Sequence, residues 1–147
     1  MKFSKAKTGR VFVIRLEDGE IIHEKLEEFA RSEKITCASI NVLGGVDKGS
    51  KLIVGPEKGR EKPVSPVEIM LDDVHEATGT GTIFPDESGM SVLHLHIACG
   101  RGNKSITGCV RNGVKVWHVL EVIMTELVQC KSARILDEAT GFELLIP

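Results

Sequence analysis

The sequence predicts a single α+β domain, in which about eight mostly antiparallel strands pack with one main flanking helix near residues 20–34. Three observations carry that reading. Only one stretch has the apolar spacing of an amphipathic helix. Many short runs rich in β-branched residues alternate between Gly and Pro clusters. And 147 residues with neither linker nor internal repeat fit one domain over residues 1–147.

Val11-Phe12-Val13-Ile14-Arg15-Leu16 is a compact β-run, and Glu17-Asp18-Gly19-Glu20 is a turn. Ile22, Leu26, Phe29 and Ala30 then fall on an i, i+4, i+7, i+8 stripe, with Glu24, Lys25, Glu28 and Arg31 away from it. That is the helix. Residues 36–43 begin a series of strands punctuated by Gly44-Gly45, Gly55-Pro56, Pro66, Gly79, Gly81 and Gly89. Further strands are expected at 51–54, 67–71, 75–83, 91–99, 105–110 and 114–127. The last carries Val116, Leu120, Val122 and Met124 on one face and Trp117, Val119 and Ile123 on the other. Two apolar faces need two covers, either the helix and core or another subunit. Residues 133–136 and 141–145 add a last short strand or hairpin. Lys58-Gly59-Arg60-Glu61-Lys62 reads as a solvated charged loop.

Leu93-His94-Leu95-His96-Ile97 is the most informative segment. Strand side chains alternate between faces, so His94 and His96 share one face and Leu93, Leu95 and Ile97 the other. Gly102-Asn103 suits a two-residue hairpin turn, and that register sets His96 directly opposite Cys109. Direct partners lie roughly 4.5–5.5 Å apart at Cβ. The other face then collects Leu93, Leu95, Ile97 and Cys99 with Ile106 and Val110, a surface fit for a core. A slip by one residue would exchange the two sets. His94, His96 and Cys109 are therefore candidate metal ligands. The alternative is two solvent-facing histidines beside a small buried cysteine.

Composition excludes several classes. A net charge of −2 and a pI near 6.2 give no general attraction to nucleic acid or anionic membrane. An aromatic content of 4% leaves little for base stacking. Met1-Lys2-Phe3-Ser4-Lys5 lacks the apolar core of a secretory signal, and a cytoplasmic location is the expectation. Cys37, Cys99, Cys109 and Cys130 contain no CxxC pair, so the first, second and fourth read as buried free thiols.

Other polar residues compete for roles. His75 or Glu76 could bring a fourth ligand or general base, but adjacent strand residues face opposite ways, so only one can. Glu121 interrupts an apolar strand. A structural ion pair to Arg15 or Arg111 is one explanation, and a catalytic carboxylate near the metal is the second. Arg111 falls on the side of His94 and could bind an anion beside the metal. His118 reads as a packed histidine at a subunit boundary, His23 as solvated, and Arg101 as a loop tip.

The chain resembles the PPC (plant and prokaryote conserved) domain family. The resemblance rests on Arg15-Leu16-Glu17-Asp18-Gly19-Glu20, Gly79-Thr80-Gly81-Thr82-Ile83, Leu93-His94-Leu95-His96, Gly108-Cys109, Glu121-Val122-Ile123 and Asp137-Glu138-Ala139-Thr140-Gly141-Phe142, in that order. It implies a twisted antiparallel sheet or partial barrel with a flanking helix, assembled as a homotrimer, similar in fold to acetolactate decarboxylases. It also implies metal on an HxH followed by Gly-Gly-His. Here Thr107-Gly108-Cys109 stands at the third position. Cysteine still ligates zinc, and its soft thiolate favours Zn²⁺ over Mn²⁺ or Mg²⁺. Plant members bind DNA through a separate Arg-Gly-Arg-Pro hook, for which Gly59-Arg60-Glu61-Lys62-Pro63 is a poor substitute because glutamate occupies its centre.

Three readings follow. One is a zinc-binding trimer with a coordination position open to a small-molecule ligand; if it is an enzyme, the expected chemistry is metal-dependent and acts on a small carbonyl acid. The second is a DNA-associated regulatory module. The third is an interaction module whose metal stabilises the assembly.

Overall fold

The structure is a computed structural model that describes residues 1–60, 62–111 and 113–147. Eight strands form one antiparallel sheet: β1 (Lys7–Glu17), β2 (Ala38–Val46), β3 (Lys51–Pro56), β4 (Pro66–Met70), β5 (His75–Pro85), β6 (Ser91–Arg101), β7 (Lys104–Val110) and β8 (Val116–Val128). Their spatial order is β1-β8-β2-β5-β6-β7-β3-β4. The helix α1 (Ile22–Ser32) lies against one face, and β9 (Ala133–Asp137) with β10 (Phe142–Ile146) makes a separate hairpin. The α+β expectation holds.

The helix is shorter at both ends than the 20–34 that the sequence predicts, for a visible reason. Ile21 forms a bridge with Lys115, and the Ile22 N–H donates to Val114 O at 3.0 Å, so the chain enters the helix already held by a strand-like contact. At the other end Lys34 turns left-handed (φ 57°) while the Ile35 N–H reaches back to Ala30 O at 2.8 Å. Ile22, Leu26 and Ala30 are fully buried in one cluster with Ile40, Val42, Leu95, Ile97, Leu120, Val122 and Met124. Each large aliphatic side chain removed from water there contributes roughly 1.5–3 kcal/mol.

The opposite face of the sheet is open along β1, β8 and β2, while Arg134 of the β9–β10 hairpin packs against Thr82 and Phe84 of β5 on that face. Val13 is 83% exposed and Leu43 60%, with Val11 and Ile123 also exposed. Strand β8 is thus covered by core on its Val116, Leu120, Val122 and Met124 side only, while Trp117 and Val119 are half-buried on the other. A β-bulge interrupts this strand at His118, which is exposed with φ 57°, its ring centroid 4.4 Å from that of Trp117. One cross-strand row on the open face runs Val13, Ile123, Asn41, Thr80, His96, Cys109. No helix among the described residues is long and apolar enough to cross a membrane.

Candidate metal centre

Strands β6 and β7 pair in the register that the sequence predicts. His96 faces Cys109, Ile97 faces Gly108, and Arg101 closes on Lys104 around a turn whose Gly102 has φ 59°. A positive φ at the first central position is what a tight hairpin turn asks of glycine. Leu93, Leu95 and Ile97 go into the core, which leaves His94 and His96 on the open face. Their Nε2 atoms are 3.1 Å apart, and the two imidazoles and the Cys109 Sγ bring ligand atoms within 4.8 Å of one another. Four-coordinate zinc holds its ligand atoms roughly 3.3–3.7 Å apart, given bonds of about 2.0–2.3 Å. The cluster is close to that spacing, and a thiol with two imidazoles is a donor set that suits zinc.

Glycines in β5 explain how β6 is seated. A Cβ on Gly79 would lie 2.3 Å from the His96 carbonyl oxygen, and one on Gly81 2.5 Å from that of His94. Only bare backbone in β5 lets β6 come this near. Burial, with smaller contributions from Arg134, His96 and Arg111, lowers the pKa of His94 and favours its neutral, ligating form. Burial raises that of Cys109, partly offset by Arg111 and Arg134, so the free thiol holds its proton.

Arg111 follows β7, is exposed, and reaches the Cys109 thiol. Arg134 was not singled out by its sequence, yet it sits beside the same histidines. It projects from β9, is 6% exposed, and donates from Nη2 to Thr82 Oγ1 at 2.9 Å. Thr82 is the cross-strand partner of His94. The only sequence sign was an arginine inside the apolar run Ala133-Arg134-Ile135-Leu136. His94, Arg111, Arg134, Phe142, Glu143 and Leu144 line a cleft of about 520 Å³.

The remaining candidates lie elsewhere in the chain. His75 is buried on the core face of β5 with Nδ1 2.8 Å from Asp73 O, so it does not join the histidine pair. Glu76 faces Gly100, four positions along β6 from His96. Glu121 is exposed rather than buried, and therefore needs no ion pair; Arg15 lies across from it but gives its guanidinium to Glu17 at 2.6 Å. Strand order separates Glu121 from His96 by three strand spacings, roughly 14 Å. His23 is half-buried, with an Nδ1 that has no hydrogen-bond partner among the described residues. Arg101 is tied to Asp73 at 2.5 Å and to Val74 O at 2.9 Å. Glu61, the centre of the hook-like segment, lies outside the described residues.

No curated protein matches the sequence. Solved structures do share the fold. A metal-containing protein from Archaeoglobus fulgidus is 23% identical, with a TM-score of 0.85 over 100% of both chains. A plant- and prokaryote-conserved protein from Pyrococcus horikoshii is 23% identical, with a TM-score of 0.84 over 98% of this chain and 96% of that one. A suspected DNA-binding protein from Ralstonia eutropha is 23% identical, with a TM-score of 0.69 over 90% of this chain and 88% of that one. At such identities the likeness concerns the fold alone. The Plants and Prokaryotes Conserved (PCC) domain family matches residues 3–128, a span that includes the whole eight-stranded sheet and all three candidate ligands, and the chain belongs to that family.

Proposed function

We propose that this protein binds one zinc ion per chain through His94, His96 and Cys109, keeps a coordination position open for a small ligand, and acts as a homotrimer. The observation that carries the reading is the convergence of three ligand atoms within 4.8 Å on one face of a single hairpin. Three protein ligands and a free position are the pattern of catalytic rather than structural zinc. Bound there, zinc supplies Lewis acidity toward an oxygen of the ligand. The chain's own residues flank that position: Thr82, the cross-strand partner of His94, accepts from the Arg134 guanidinium at 2.9 Å, and Arg111 offers positive charge beside Cys109. The relative from Archaeoglobus, described as metal-containing, supports a metal on this fold.

The trimer has separate support. An open face with Val13 at 83% and Leu43 at 60% exposure is the apolar surface that obligate interfaces cover, and the family resemblance supplies the number three. Elemental analysis combined with native mass spectrometry tests both halves. One zinc per chain in a three-chain particle is the expected result; a full-length protein free of metal after zinc loading overturns the metal reading. Chelator-sensitive turnover of small carbonyl acids separates an enzyme from an assembly that the metal merely stabilises.

A further inference from the structure

We propose that Arg134 and Arg111 make the cleft beside the histidine pair a receptor for a small carboxylic acid with a short hydrocarbon body. The adjacency of that acid to a metal rests on the function proposed above, whereas the guanidinium pair does not. Arg134 is the principal evidence. Its guanidinium is buried, fixed by Thr82 at 2.9 Å and by the Phe84 ring at 5.8 Å, yet its Nε is buried without a hydrogen-bond partner among the described residues. A buried donor left unmatched is uncommon, and a ligand oxygen is one way to match it. A planar guanidinium held rigidly is suited to a carboxylate, which it meets through two parallel N–H donors.

The walls narrow the class. Leu136, Phe142 and Leu144 of the β9–β10 hairpin present apolar surface to the same cleft, and about 520 Å³ admits a small molecule rather than a macromolecule. Charge is consistent with an acid. Among the described residues Glu143 is the one carboxylate lining the cleft, against Arg111 and Arg134, so the balance stays positive even before a metal is counted. Glu143 is exposed and acts on Arg134 electrostatically, at a range beyond the ion pairs seen among the described residues. It weakens anion binding without satisfying the buried Nε.

Isothermal titration of the purified full chain tests this, run on metal-free and on zinc-loaded protein. The probes are 4-methylpentanoate, its neutral amide, and inorganic phosphate. The acid is expected to bind in both forms, at least tenfold more tightly than the amide and than phosphate, and Arg134→Gln or Arg111→Gln to weaken it by roughly tenfold or more. Glu143→Gln, on the exposed hairpin, is expected to tighten it a few-fold. Binding by metal-free protein upholds the receptor even where zinc never loads. Equal affinity for acid and amide, equal affinity for phosphate, or an unchanged Kd in Glu143→Gln overturns it. So does an acid that binds neither form.

Discussion

At the scale of single residues, His96 occupies the middle of the proposed site, with His94 two positions along the strand and Cys109 directly across. His96→Ala is therefore expected to lose most of the zinc and His118→Ala none, as read by elemental analysis. Cys109→His is expected to keep it. The pH dependence has a definite sign. Burial holds the Cys109 proton on to higher pH, while burial of His94 keeps that imidazole neutral to lower pH. Protons thus compete with zinc mainly at sulfur, and affinity is expected to rise with pH through neutrality, with a flatter profile in Cys109→His. The other thiols also order themselves. Cys37 and Cys99 are pushed up to about 11, chiefly by burial. Burial acts upward on Cys130 too, but bonds with Ser132 and the Cys37 thiol bring it below the ordinary value. Iodoacetamide at pH 8 is expected to label Cys130 first, as peptide mapping will report. The cluster of His94, His96 and Cys109 was legible because one hairpin contains it and period-two alternation leaves one sensible register. Arg134 was not, since its neighbours Thr82 and Phe84 come from a strand about 50 residues away, and no local pattern announces such a docking.

At the scale of elements, the Gly79-Thr80-Gly81 stretch of β5 acquires a physical meaning. Its two glycines leave room for the backbone of β6 at the histidines themselves. Gly79→Ala is expected to cost about 1–3 kcal/mol by overpacking, and also to lower zinc occupancy because β6 must shift. Gly59→Ala, with open space around its Cβ, serves as the neutral control. Denaturant midpoints with zinc content measure both. The helix and every sheet strand were foreseeable from periodicity, yet two features were not. The helix starts at Ile22 because a bridge to Lys115 claims the residue before it. The bulge at His118 leaves no trace in an apolar run, because it answers to the neighbouring Gly44-Gly45 backbone rather than to its own composition.

At the scale of the molecule, the exposed apolar side chains of Val11, Val13, Leu43 and Ile123 predict an assembly that charge would break. Sedimentation at micromolar concentration is expected to give three times the 16.0 kDa chain mass, and Val13→Asp to release monomers. A single 16.0 kDa species from the unaltered protein would remove the trimer. The sequence showed that β8 was apolar on both sides, but not which side the chain itself would cover; that depends on where the one helix packs. The edge position of β1 has a temporal consequence. Its partner is β8, and Arg10 meets Glu126 across 116 residues of chain. A ribosome adding ~5–20 residues per second keeps β1 waiting roughly 6–23 s for its mate. During that interval Val11, Phe12, Val13 and Ile14 form an unpaired, β-prone segment, which makes the growing chain a client for any chaperone that reads extended apolar strands.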